Sequence, residues 1–159
     1  MSFEKIIEEF QPQKTPLQCE ATCILNTLNE LGKRQISKFK ELKMRDVKRI
    51  CGWKEGLCCN EKMIVPLLNN FLKRYNYVWI DTNFQKREIS KLLSICTSEE
   101  KSFPIISVPS NFVEYHGIKS IGKNTFDHAI IIFGMKNDLI HFYDPNEIYT
   151  RKPSLREGN

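Results

Sequence analysis

Two cysteines, Cys19 and Cys23, stand four residues apart in the segment QPQKTPLQCEATCILNTLNELGK, which runs from Gln11 to Lys33. The apolar residues that follow recur at helical spacing, so both cysteines belong to the first turns of a predicted helix. At the N-terminus of a helix, unpaired backbone N–H groups and the helix dipole favour negative charge and lower the pKa of a thiol. Cys19 lies closer to that end than Cys23, so Cys19 is the candidate nucleophile.

A cysteine nucleophile needs a base and a group that orients the base. The histidines of the chain are His116, His128 and His141, of which the first and last are interpreted as structural. His128 opens the apolar run HAIIIFG, and Asp144 ends the partner run sixteen residues later. If the two runs form a hairpin that turns around Asn137, His128 faces Asp144. The carboxylate could then hold one ring nitrogen while the other nitrogen faces the thiol.

Candidate donors for an oxyanion lie beside Cys19. Gln13 carries a side-chain amide six residues upstream of the thiol. An amide N–H at that place can stabilise the oxyanion of a tetrahedral intermediate. Gln18 is closer in sequence, but it is expected to take part in capping the helix. The backbone N–H of Cys19 is the second candidate donor.

Five helical segments are predicted before residue 100, from apolar spacing and from start and stop signals. The second has a capping box from Thr15 to Gln18, and Gly32 is its expected left-handed stop. The predicted ranges are Phe3 to Phe10, Pro16 to Leu31, Ser37 to the residue before Gly52, Asn60 to Asn76 with a kink or late start at Pro66, and Asn83 to Cys96.

The aliphatic residues of the second segment form one stripe on a helical wheel, and Cys19 lies almost opposite that stripe. Cys19 is therefore not needed for aliphatic packing unless the helix is central and buried on all sides. The stripe consists of Ala21, Ile24, Leu25, Leu28 and Leu31.

The pattern changes to strands after residue 100. The predicted strands are Phe103 to Pro109, His128 to Gly134 and Leu139 to Pro145, the last two forming an antiparallel hairpin. The loop from Ser110 to Asp127 is long enough to be functional. Helices followed by strands predict the α+β class. The helix that begins near Cys19 is expected to pack against a sheet that carries His128 and Asp144.

The composition is that of one globular domain spanning residues 1–159, with 41% hydrophobic and 27% charged residues. The densest basic segment, Lys33 to Arg49, offers only Phe39 as an aromatic, on a predicted apolar face, so nucleic-acid binding is not expected. No apolar run approaches the roughly 18 residues of a membrane span. Six cysteines and an N-terminus without a signal-peptide pattern predict free thiols and a cytoplasmic location.

These residues resemble the papain-like cysteine peptidases, above all the double-glycine peptidases that process bacteriocin leaders and their stand-alone relatives. That family has a glutamine six positions before a cysteine at a helix start, and a second cysteine four residues later. Far downstream it has a block of histidine, strand, turn, strand and Asp-Pro. The similarity spans roughly residues 11–146, and its two ends carry the specific motifs. The matching residues are Gln13, Cys19, Cys23, Gly32, His128, Asp144 and Pro145.

The resemblance implies a papain-like fold with Cys19 as nucleophile, His128 as general base, Asp144 as orienting group and Gln13 as oxyanion donor. It implies hydrolysis of a peptide or isopeptide bond through a thioester, without a metal or an organic cofactor. The implied partner is a peptide or protein substrate, cut after small residues such as glycine. Acyl or amide transfer by the same triad, and peptide binding by a catalytically silent papain-like module, remain as alternatives.

Two neighbours of Cys19 depart from the family, which usually has Asp and Gly where this chain has Gln18 and Glu20. The carboxylate of Glu20 is expected to oppose formation of the thiolate. A further hypothesis is a metal site that joins Cys19 and its neighbour Cys23 to Cys58 and Cys59. The paired knuckles of structural zinc sites are absent, however, and the lack of a Cys-x-x-Cys motif argues against a redox role for Cys58 and Cys59.

Overall fold

The computed structural model describes residues 3–15, 18–34, 39–53, 61–75, 78–79, 104–108, 128–136, 139–146 and 155–158. In chain order, its elements are α1 (Phe3–Ile7), α2 (Cys19–Arg34), α3 (Met44–Ile50), α4 (Glu61–Leu72) with a 3-10 turn (Lys73–Tyr75), β1 (Ile105–Val108), β2 (His128–Lys136), β3 (Leu139–Tyr143) and β4 (Leu155–Gly158). Helices together with an antiparallel sheet confirm the α+β class.

The strands form one antiparallel sheet in the order β1-β2-β3-β4. β1 and β3 lie within the predicted runs, and β2 begins at the predicted His128 but continues past Gly134 to Lys136. β4 was not predicted, because its sequence LREG has a single apolar residue and no alternation. It pairs with β3, where Tyr143 faces Leu155.

The register of the β2–β3 hairpin differs from the prediction. Ile131 pairs with Tyr143, so position 146 rather than Asp144 lies opposite His128. The pairing also shifts by one residue just before Gly134, which has φ of 146°, and an apolar pattern does not reveal such a bulge. An offset of two residues still leaves His128 and Asp144 on the same face of the sheet, because successive side chains alternate.

Helix α2 lies between the other helices and the sheet. Four residues of its predicted aliphatic stripe, Ala21, Ile24, Leu25 and Leu28, pack against α3 and α4. Cys23, on the opposite side, packs against α1 and β2, and so does Leu31, the last residue of the predicted stripe. Asn26 and Glu30, on the side away from the stripe, are buried as well. The helix is therefore central and buried almost all round, which the stripe alone did not establish.

The start of α2 is Cys19 rather than the predicted Pro16. Gln18 directly precedes the helix, and its carbonyl accepts the N–H of Thr22 at 2.8 Å. The N–H of Gln18 donates to the carbonyl of Thr15 at 3.2 Å, so Thr15 belongs to a preceding turn and is not the cap. The later start moves Cys19 to the first helical position, where the unpaired N–H groups are.

The helix also continues through Gly32 to Arg34, so the predicted left-handed stop at Gly32 is wrong. A Cβ on Gly32 would lie 2.7 Å from Cε2 of Phe39. The Phe39 ring is held by its ring contacts with Phe71 and Tyr75. Glycine is therefore required here for close packing rather than for chain reversal.

The remaining helices differ from the predictions mainly at their starts and ends. α1 ends at Ile7, short of Phe10. α3 begins at Met44 instead of near Ser37, and Phe39 lies in the non-helical segment before it. α3 ends before Gly52, as predicted. α4 starts ahead of Pro66, so the proline does not mark a late start.

Three asparagines tie non-helical segments to the helices. Each carboxamide donates to the C=O and accepts from the N–H of one residue, as a neighbouring strand would. The pairs are Asn26 with Gln11, Asn29 with Leu42, and Asn69 with Trp79.

Several predicted features lie outside the described residues, namely the helix Asn83 to Cys96, the loop Ser110 to Asp127, His116 and the pair Cys58 and Cys59. Among the helices that the structure does describe, none combines the length and the apolar character needed to cross a membrane.

Candidate active site

Cys19 is the first residue of α2 and is partly exposed. Its side chain packs at the border of the core cluster between α2 and the sheet. The first N–H groups of a helix have no acceptor within the helix, and they carry the positive end of its dipole. The fold thus places a reachable sulfur where a thiolate is stabilised.

The ring of His128 is close enough to the sulfur of Cys19 to act on its pKa, both as a hydrogen-bond donor and as a positive charge. Burial raises the pKa of the Cys19 thiol, but four other interactions outweigh burial. These are the hydrogen bond and the charge of His128, and the backbone N–H groups of Ala129 and Glu20. The pKa of Cys19 consequently lies below its ordinary value of 9.0.

His128 begins β2, and the pKa of its ring shifts in the direction opposite to that of the Cys19 thiol. Burial alone would lower the pKa of the imidazole. Hydrogen bonds to Asp144 and Cys19, followed by the negative charges of the same two groups, raise that pKa from 6.5 to about 9. A thiol of lowered pKa beside an imidazole of raised pKa favours a thiolate–imidazolium pair.

Asp144 follows β3 directly and is fully buried. Its Oδ1 accepts Nε2–H of His128 at 2.7 Å, and it also accepts the backbone N–H of Asn146 at 2.7 Å. The second bond closes a turn around Pro145, whose ring fixes φ. Because Nε2 of His128 is bonded to Asp144, Nδ1 is the ring nitrogen left for the sulfur of Cys19.

Gln13 reaches the same turn from the segment between α1 and α2. Its backbone N–H donates to the carbonyl of Pro145 at 2.8 Å. Its side chain is buried, and Nε2 donates to Oδ1 of Asn146 at 3.2 Å. Gln13 is thus joined to Asp144 through Asn146, and Asp144 in turn is bonded to His128.

The backbone two residues before Gln13 is fixed as well. The carboxamide of Asn26 binds the N–H and the C=O of Gln11 at 2.9 and 3.0 Å. The hydroxyl of Tyr143 donates to the same carbonyl at 2.9 Å. Helix α2 and strand β3 together hold the segment that delivers Gln13.

Cys23 has a different environment from Cys19. It is fully buried, and its thiol donates to the carbonyl of Ala129 at 3.5 Å. Burial raises the pKa of Cys23 well above 9.0, and the negative charges of Cys19, Asp144 and Glu20 raise it further. Cys23 therefore stays a neutral thiol that holds strand β2 to helix α2.

Glu20 does not act on Cys19 as the sequence predicted. Its contribution to Cys19 is a backbone N–H that lowers the pKa of the thiol. Its carboxylate instead raises the pKa of Cys23 and Cys51, and in both cases burial has the larger effect. The pKa of Cys51 reaches about 12, so among the described cysteines only Cys19 has a lowered value.

The described residues contain no group of three or more histidine, cysteine or acidic side chains that could hold a metal ion. Cys58 and Cys59, which the metal hypothesis needs, fall outside those residues. His141 lies within β3 opposite Gly134 and belongs to the sheet rather than to the site.

The sequence predicts Cys19, His128, Asp144 and Gln13 as site residues, but it does not indicate the groups that hold them in place. Asn146 is one of these, and the Asp-Pro-Asn order could have indicated it, because aspartate and asparagine favour such side-chain-to-backbone turns. The clamp of Asn26 on Gln11 and the backbone of Ala129 leave no signal in a single sequence.

No family model, curated protein or solved structure matches this chain. The function is therefore inferred from the geometry and the electrostatics of the site.

Proposed function

We propose that this protein is a cysteine peptidase with a papain-like fold, in which Cys19 attacks a peptide or isopeptide carbonyl. The observation that supports this most strongly is the 2.7 Å bond between His128 and the buried Asp144, next to a Cys19 thiol whose pKa His128 lowers. A thiolate at a helix start, an imidazolium and an orienting carboxylate are the groups that thiol catalysis requires.

In the proposed reaction the Cys19 thiolate forms a bond to the carbonyl carbon, and the carbonyl oxygen becomes an oxyanion. The His128 imidazolium gives its proton to the departing amine as the carbon–nitrogen bond breaks, which leaves a thioester on Cys19. The neutral His128 then takes a proton from water, and the resulting hydroxide attacks the thioester. Collapse releases the acid and restores the thiolate, so the cycle consumes one water and needs no metal or organic cofactor.

Gln13 and the backbone N–H of Cys19 are the proposed donors to the oxyanion. Cys19 is the first residue of α2, so its N–H has no acceptor within the helix. A glutamine amide has two N–H bonds, and the bond from Nε2 to Asn146 uses only one. Loss of one oxyanion donor typically costs about 10²–10³ in kcat.

The proposed substrate is a peptide or protein cut after a small residue such as glycine. This specificity comes from the resemblance to the double-glycine peptidases. If an amine rather than water resolves the thioester, the same site performs acyl transfer instead.

The test uses a peptide library prepared from a proteome and mass spectrometry of the new termini. The wild-type protein is expected to generate new C-termini enriched in glycine, and Cys19→Ala is expected to generate none. Cys51→Ala, a change at a buried cysteine in the helical core, serves as the matched control and should cleave like the wild type. Equal patterns with the wild type and Cys19→Ala would reject the peptidase, and retention of peptides by both proteins without cutting would favour the silent binding module.

A further inference from the structure

Asn146 connects two parts of the site that the proposed mechanism treats separately. Its backbone N–H donates to Oδ1 of Asp144, the carboxylate that orients His128. Its side-chain Oδ1 accepts from Nε2 of Gln13, the candidate oxyanion donor. Asn146 is 7% exposed, and the proposed mechanism assigns it no step.

The side-chain bond determines which end of the Gln13 amide faces Asn146. With Nε2 toward Asn146, an N–H meets the carbonyl oxygen Oδ1 at 3.2 Å. With the Gln13 amide turned round and Oδ1 of Asn146 in place, two acceptor oxygens would face each other. Oε1 of Gln13 has no partner among the described residues, so no other bond to that oxygen fixes the amide there. The orientation of the amide thus depends on the acceptor at position 146.

We propose that Asn146 is a positioning residue that sets the orientation of the Gln13 amide, so that its second N–H is available to the oxyanion. This inference rests on the proposed function. It assigns Asn146 no contact with the substrate. Asn146 affects catalysis only by orienting the amide of Gln13.

The backbone of Asn146 makes the inference separable from damage to the triad. The N–H that binds Asp144 remains whatever side chain stands at position 146, so Asn146→Ala keeps the bond to the carboxylate. The Cys19 thiolate and the His128 imidazolium should therefore form as before. Only a step that develops an oxyanion should be slowed.

Two reactions of Cys19 distinguish these steps. Acylation by the p-nitrophenyl ester of N-acetylglycine passes through a tetrahedral oxyanion, and the release of p-nitrophenolate reports its rate. Alkylation by iodoacetamide displaces iodide at a saturated carbon, so it needs the thiolate but forms no oxyanion. The ratio of the two rates isolates the oxyanion step from any change in thiolate content.

We expect Asn146→Ala to lower the acylation rate about tenfold and Gln13→Ala to lower it about 10²-fold, while both leave the alkylation rate unchanged. The double variant should acylate no more slowly than Gln13→Ala alone, because the two residues act as one unit.

Asn146→Asp retains an acceptor oxygen and should recover the ratio of acylation to alkylation to within about threefold of wild type. It also provides a folded alternative if alanine destabilises the turn. Asn29→Ala, which removes a comparable carboxamide clamp remote from the site, is the control and should keep the wild-type ratio.

Independent, multiplying losses in Asn146→Ala and Gln13→Ala would overturn the inference. A parallel loss of acylation and alkylation in Asn146→Ala would do the same, and so would an Asn146→Asp ratio as low as that of alanine. Acylation that persists in Cys19→Ala would instead reject the proposed function, and this inference with it.

Discussion

Nε2 of His128 donates to Oδ1 of Asp144 at 2.7 Å, although the hairpin places these two residues two positions out of direct opposition. The bond is possible because the offset is even and both side chains lie on the same face of the sheet. Asp144 is fully buried, and the bond supports the raised pKa of His128.

Replacement of Asp144 by asparagine keeps the size of the side chain and removes its charge. The pKa of His128 should then fall from about 9 toward its ordinary value of 6.5. The alkaline limb of the pH–rate profile should move to lower pH, and kcat should fall by about 10²-fold because the base is less well oriented and less basic. The measurement is the pH dependence of hydrolysis of the p-nitrophenyl ester of N-acetylglycine. His141→Asn, a change in the adjoining strand, should leave the profile in place, and an unmoved limb in Asp144→Asn would contradict the assignment.

The raised pKa of His128 also predicts how stability depends on pH. A group whose pKa is higher in the folded state binds protons more tightly when folded, so protonation stabilises the fold. This contribution should be complete below pH 6.5 and should disappear as the pH rises through about 9. The difference in urea midpoint between the wild type and His128→Asn should therefore be larger at pH 6 than at pH 10. A difference that grows with pH would contradict the sign.

Gly32 provides a test of the packing between α2 and the segment before α3. In an exposed helix, replacement of glycine by alanine stabilises by roughly 0.5–1 kcal/mol. Here the added Cβ would lie 2.7 Å from the ring of Phe39, so Gly32→Ala should instead destabilise by about 1–3 kcal/mol through overpacking. The free energy of unfolding in urea measures the effect. Combining Gly32→Ala with Phe39→Leu should recover part of the loss, whereas additive losses would show that the ring contact is not the cause.

Much of the site could be predicted from the sequence because its chemistry depends on residue type and local position. Local apolar spacing predicts the helix that carries Cys19, although the helix begins at Cys19 rather than at the predicted Pro16. The pairing of His128 with Asp144 was predicted from a wrong register. The contact nevertheless forms, because an error of two residues does not change the face of a strand.

The features of the fold and of the site that the sequence did not predict depend on tertiary contacts, which leave no periodic pattern in the sequence. Gly32 matched the pattern of a helix stop, and only the approach of Phe39 shows why the helix continues past it. Strand β4 pairs through its backbone, which a sequence of four residues with one apolar side chain does not indicate. Asn146 acts through a side-chain bond to Gln13, 133 residues away in the chain. A single sequence contains no information about such a pair.

The central claim is that Cys19 is an activated thiol paired with His128. It is tested most directly by the rate at which iodoacetamide alkylates Cys19 as a function of pH, resolved by peptide mass spectrometry. In the wild type the rate should show an inflection below 9.0, while Cys51 in the same sample, with a pKa of about 12, should remain slow throughout. In His128→Ala the inflection of Cys19 should move upward, because burial of the thiol persists while the hydrogen bond and the positive charge are lost. A wild-type inflection at or above 9.0, or one that His128→Ala leaves unchanged, would contradict the account.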